Sequence, residues 1–363
     1  MFGIFKRKIK EQPPVKPANE DGLKEYAQVL AVEMLDNMQE NFRQAQEQRQ
    51  ADYADTVKRH NSLLTSIDVK PYDGPTKPVD LTPYEVLFLW YIDGCTAKEP
   101  GIAIYWTYEY QFGDFSAAIN KLLRAGYLRV SDYKFNMQKC TMSELKEVLK
   151  RHDLKVSGKK AELIERLEAS LNADILKDTF SNGYLQLTEA GKLLTESYSH
   201  VILWHQYKNL MINDMNPVSV HNFYLSNKHM GAHDVLIEYN KQLAESWLED
   251  PDHLQPGVCY YAIGRMYELK QDLKSALYWY FMRCYIDLSG IMYRDSNYND
   301  IRERVSVAPA VLADTKNCID MLALSDKELQ TLYTTAASSL KIPGAAYSIK
   351  EAYSLIIEAV KNI

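Results

Sequence analysis

The chain has 363 residues, 46% of them hydrophobic, and a formal net charge of -6. That suffices for two or three domains with proper cores, and it excludes a generally sticky basic protein while leaving room for one local patch facing nucleic acid. Aromatics at 11%, with 26 tyrosines, argue against global disorder. The absence of any run of 18 or more apolar residues argues against a spanning helix.

Residues 1–19 read as a flexible basic tail, broken by Pro13, Pro14 and Pro17. The start MFGIFKRKIK has no apolar core and no small-residue cleavage site, so it does not read as a secretion signal. Phe2, Ile4, Phe5 and Ile9 beside Lys6, Arg7, Lys8 and Lys10 offer at most a weak membrane contact, too short for stable insertion. Residues 20–67 predict a long amphipathic helix with Leu23, Tyr26, Leu30, Met34, Met38 and Phe42 on one stripe. Packing on its own protein and a dimerising coiled coil both stay open, although the heptads fade after Phe42. A Pro-rich linker of extended character follows over 68–81.

Thr82-Pro83-Tyr84-Glu85 is a helix start: Thr82 caps, Pro83 suits the first position and Glu85 reaches back. The segment YEVLFLWYIDG is apolar on all sides and belongs in a core. In GDFSAAINKLLRAGYLRV, Asp114 caps a helix whose apolar face is Phe115, Ala118, Ile119, Leu122 and Leu123. Gly126 ends it, and Tyr127 to Val130 starts a strand. This piece, with GYLQLTEAGKLLTE at Gly183 to Glu196, resembles the recognition helix, wing and following helix of bacterial winged-helix domains. The resemblance implies a winged-helix-like domain over 82–200, with whatever separates the two strands at the wing tip. The outward face of the recognition helix offers Ser116, Asn120, Lys121 and Arg124, and Asn and Arg are able to read base edges in a major groove. Winged helices also serve as plain protein-binding or dimerisation units.

Between the strands, Thr141-Met142-Ser143-Glu144 is a second capping box, and Met142, Leu145, Val148 and Leu149 make the buried face of a helix. A turn from Asp153 to Ser157 follows. Gly158 opens a second helix with Leu163, Ile164, Leu167 and Leu171 on one face, and Glu162 and Arg166 are spaced as an ion pair. The stretch ELKEVLKRHDLKVSGKKAELIERL resembles the SAP motif at Leu145, Leu149, Leu154, Ser157, Gly158, Lys159, Lys160, Leu163, Ile164, Arg166 and Leu167. The departure is His152-Asp153, where the family commonly has a glycine ahead of the leucine. The resemblance places a SAP-like module at 140–172 and implies binding to double-stranded DNA with weak sequence preference. Independently, a helix N-terminus presents unpaired amides and a positive dipole end to phosphate. Ser157, Gly158, Lys159 and Lys160 stand at that end, with Lys150, Arg151, Lys155 and Arg166 extending the expected patch. Against this, Lys139 to Asn172 holds eight Lys and Arg but six Asp and Glu, as a solvated or protein-binding face would.

Residues 201–363 predict a helical domain. Within it, YYAIGRMYELKQDLKSALYWYFMRCYIDL resembles one tetratricopeptide repeat at Tyr260, Ile263, Gly264, Tyr267, Ala276 and Tyr280, a hairpin over 258–289. No second clean copy follows, so the rest is degenerate or packed differently. A capping box at Ser325 to Glu328 and a helix from Tyr347 to Val360 complete the pattern, which suits contact with a protein partner or with a second copy.

No phosphate loop, dinucleotide fingerprint, H-E-x-x-H or G-x-S-x-G occurs. His229 and His233 stand four apart, with His221 a loose third, but Gly231 weakens any helix between them. Glu249, Asp250 and Asp252 beside Pro251 read as a solvated turn. Five scattered cysteines without C-x-x-C spacing fit free thiols in a reducing cytoplasm. The expectation is a mainly α-helical cytoplasmic protein of bacterial or phage type, with no cofactor and no catalysis. It binds DNA through the SAP-like module and recruits or self-associates through its C-terminal or N-terminal helices. The alternative is an interaction scaffold whose SAP-like module grips a protein.

Overall fold

The structure, a computed structural model, describes residues 20–363 apart from 71, 73, 182, 212–214, 250–255 and 294–300. The basic tail and the acidic turn around Pro251 lie outside the described residues. Among these, the protein is predominantly α-helical with one two-stranded sheet. It divides into two units, residues 1–66 with 103–113 and residues 67–102 with 114–363.

The first elements are α1 (Glu20–Thr65), α2 (Pro83–Tyr91) and α3 (Tyr105–Tyr108). The first unit contains α1 and α3. Met38 and Phe42 on α1 are 69% and 64% exposed, so the described end of the predicted stripe faces solvent. Near the C-terminal end of α1, buried His60 Nδ1 meets Thr107 Oγ1 at 2.8 Å. Trp106 packs edge-on against Tyr110 and Phe112.

In the second unit, Thr82 and Glu85 close the expected box on α2, whose Val86, Leu87, Phe88 and Leu89 are all fully buried. Four consecutive buried positions cover every side of the helix, which makes it central. The Asp114 side chain caps α4 (Phe115–Arg124) by accepting from the Ala117 amide. Gly126, at φ +76, then turns the chain into β1 (Leu128–Val130). The chain runs on through α5 (Tyr133–Lys139), α6 (Met142–Arg151), α7 (Lys160–Ser170) and α8 (Ala173–Thr179) before β2 (Leu185–Leu187). β1 and β2 pair antiparallel, Leu128 opposite Leu187 and Val130 opposite Leu185, so four helices form the connection of one short hairpin.

Sequence periodicity missed α5 and α8, which are seven residues each, although Asp132 and Asn172 cap them. Their contribution is large for their size. Met137, Leu176 and Phe180 join Leu145, Val148, Leu149, Leu163 and Leu167 in one core. Two helices alone bury too little apolar surface to hold together, and the flanking helices supply the rest. Met142, expected on the buried face, is 39% exposed because it stands at the first position of α6, past the end of this core. The neck of the insertion is stitched by polar groups: Ser131 Oγ donates to Asn136 Oδ1, Asn136 Nδ2 donates to the Phe180 carbonyl, and the Tyr184 amide donates to Ser131 Oγ.

The remaining helices are α9 (Glu189–Ser197), α10 (Ser199–Tyr207), α11 (Pro217–Ser226), α12 (Ala232–Glu249), α13 (Pro256–Leu269), α14 (Leu273–Ser289), α15 (Pro309–Leu322), α16 (Asp326–Ser339) and α17 (Ile349–Lys361). A Cβ at Gly264 of α13 would clash with the Tyr280 ring of α14, so the glycine lets the two helices approach there. Ser348 closes a capping box with Glu351, so α17 starts at Ile349 rather than Tyr347.

Candidate nucleic-acid interface

α6 starts where Thr141 and Glu144 satisfy each other's amides, and the Thr141 amide and hydroxyl hold the Glu144 carboxyl below its ordinary value. It ends in a left-handed turn. Asp153 takes φ +55, the Leu154 amide donates to the Leu149 carbonyl at 2.8 Å, and the Asp153 amide donates to the Lys150 carbonyl at 3.2 Å. This is the hydrogen-bond pattern that glycine usually supplies after a helix, here made by an Asp. The substitution therefore preserves the turn.

Leu154 packs on the module core, and residues 155–159 are then exposed without a break. Gly158 lies outside α7, at φ +132, rather than opening it. Lys159 occupies the cap position, and its amide donates to Glu162 Oε2 at 3.2 Å. Only this half of a capping box exists, because an ammonium group has no lone pair to return the bond.

The expected Glu162–Arg166 ion pair does not form. Arg166 Nη1 donates instead to the carbonyls of Lys155 and Ser157, the latter at 3.1 Å. Lys160 Nζ donates to the Gln138 carbonyl at the end of α5, at 2.7 Å. The side chains of Lys150, Arg151, Lys155, Ser157 and Lys159 are exposed and have no partner among the described residues. Four cations thus flank one turn with their charge available to a ligand.

The α4 surface is different. The Asp68 amide donates to Ser116 Oγ, which donates to the Asp68 carbonyl. Asn120 accepts from the Lys70 amide at 3.0 Å and donates to the Asp68 carbonyl at 2.9 Å. Lys121 Nζ sits 2.6 Å from Glu85, whose carboxyl it and Thr82 bring below its ordinary value against the upward push of burial. The Lys77 amide donates to the Arg124 carbonyl. The linker thus lies along the face expected to read DNA and uses the groups that would meet base edges. The Arg124 side chain stays exposed.

The four-residue spacing of His229 and His233 does not fall on one helix, because α12 begins at Ala232 and leaves His229 in the preceding turn. His221 meets His200, nitrogen to nitrogen, at 3.1 Å. Among the described residues, no group of three or more His, Cys, Asp or Glu is placed to hold a metal ion.

The class defined by these elements is a mostly α-helical protein with a compact helix–turn–helix module set between two paired strands. The SAP domain family matches residues 136–172, from the neck residue Asn136 to the α8 cap Asn172, and the module is a SAP domain. That family is a non-catalytic motif known for association with DNA and chromatin. No curated protein matches the chain.

Proposed function

We propose that this protein binds double-stranded DNA, with weak sequence preference and without catalysis, through the turn of its SAP domain. The observation that carries the reading is the exposed stretch 155–159, where Lys155 and Lys159 extend into solvent beside a helix start. A phosphate there meets the positive end of α7 and two ammonium groups, with the Ser157 hydroxyl as a further donor. Lys150 and Arg151 extend the contact along the backbone.

In this reading α2, α4, β1, β2 and α9 form a winged-helix-like scaffold. Its recognition helix is turned inward onto the linker, so it carries the SAP domain rather than reading bases. The helices of 201–363, with the tetratricopeptide-like hairpin at 258–289, serve contact with a protein partner or a second copy.

Fluorescence anisotropy of the full chain on a labelled duplex tests this across salt. With four phosphate contacts, log K should fall with log salt at a slope of about -3.6. Absence of binding at the lowest salt would transfer the turn to the competing reading, a scaffold whose SAP domain grips a protein.

A further inference from the structure

We propose that Arg166 is a positioning residue of the DNA-binding turn: it holds residues 155–158 in shape and does not itself contact phosphate. The inference rests on the DNA reading above. Arg166 reaches back from the middle of α7 and donates from one nitrogen to two carbonyls, those of Lys155 and Ser157. Its other expected partner, Glu162, is turned to the Lys159 amide. The guanidinium, a planar set of donors with no acceptor, is suited to gathering carbonyl oxygens at a fixed spacing.

The turn has little else to hold it. Residues 155–159 are exposed throughout, and the nearest anchor in the core is Leu154. No cis peptide occurs among the described residues, and in a trans peptide the N–H points opposite to the C=O. Drawing the Lys155 and Ser157 carbonyls toward Arg166 therefore turns the amides of Val156 and Gly158 away from it. Neither amide donates to a backbone carbonyl among the described residues. Arg166 thus fixes both the backbone and the spacing of Lys155 and Lys159, and a turn already in its bound shape loses less freedom on binding.

Arg166→Gln, Arg166→Lys and Lys159→Gln in the full chain, measured on labelled duplex across salt, separate the roles. Both Arg166 variants should weaken binding about tenfold at a given salt, with the wild-type slope retained. Lys159→Gln should make the slope shallower by about 0.9, the signature of one lost phosphate contact. Without DNA, trypsin cleavage after Lys155 should quicken in both Arg166 variants while the melting temperature stays near wild type, which locates the change in the turn. A shallower slope in Arg166→Gln, with Arg166→Lys behaving as wild type, would make Arg166 a phosphate contact and overturn the proposal. Unchanged affinity and cleavage would overturn it equally. If the wild type binds no DNA, the DNA reading fails by itself, and a cleavage rate unchanged by both Arg166 variants would still overturn the positioning role of Arg166.

Discussion

Glu162 Oε2 accepts from the Lys159 amide at 3.2 Å, so a carboxylate already sits at the end of α7 where a phosphate oxygen would bind. The same oxygen lies so close to Gly158 that a Cβ there would clash with it. On the proposed DNA reading, the protein's own acid and a DNA phosphate would compete for one helix end. Glu162→Gln keeps an acceptor for the amide and removes the charge. Affinity for duplex should rise roughly two- to fivefold at low salt, the equivalent of one charge at a helix terminus. Anisotropy titration reads this directly, and weaker binding would mean that Glu162 helps by presenting Lys159.

The lysines of this region are not equivalent. Lys155 and Lys159 extend into solvent, whereas Lys160 donates to the Gln138 carbonyl and ties α7 to α5. Changing Lys155 and Lys159 together to Glu should lower DNA affinity by more than about tenfold and leave the melting temperature nearly unmoved. Lys160→Glu sets a carboxylate against a carbonyl and should cost about 1 kcal/mol of stability. Equal losses of stability in both proteins would contradict this division.

Asp153 carries a negative charge at the C-terminal end of α6, against the dipole, and holds φ +55. Asparagine tolerates that conformation and removes the charge. Asp153→Asn should raise stability by about 0.3–1 kcal/mol in urea denaturation and strengthen DNA binding modestly. A lower urea midpoint would show that the carboxylate has a partner that outweighs the dipole.

His200, 1% exposed, stacks on Tyr224 and lies nitrogen to nitrogen with His221. Burial, and then the neighbouring His221, hold its pKa down at about 4, while burial and Lys228 lower that of His221. His200 is neutral in the folded protein but titrates near 6.5 when unfolded, so the unfolded chain binds more protons between those values. The stability it contributes is present above about pH 6.5 and is lost as pH falls toward about 4, roughly 2 kcal/mol by pH 5. His200→Gln should show a smaller drop in urea midpoint between pH 7 and pH 5 than the wild type. An identical drop would place the acid sensitivity elsewhere.

Signals that act over a few residues were legible without the structure. Thr82, Thr141 and Ser325 each close the capping box that their spacing announces, because cap and partner lie three residues apart on the same turn. Apolar periodicity picked out Leu145, Leu149, Leu163 and Leu167 as core, and the strand beginning after Gly126 pairs with the one before Thr188. Periodicity needs about three turns, which α5 and α8 do not have, so the helices completing the SAP core went unseen. Tertiary structure alone decided what the long polar side chains touch. Sequence offered Arg166, Lys160 and Asn120 each to DNA. The fold set the carbonyl of Ser157 nine residues away, that of Gln138 22 away and that of Asp68 52 away within their reach. A helical position sets the direction a side chain leaves its helix, but the backbone groups waiting there come from other parts of the chain and are placed only when the core closes.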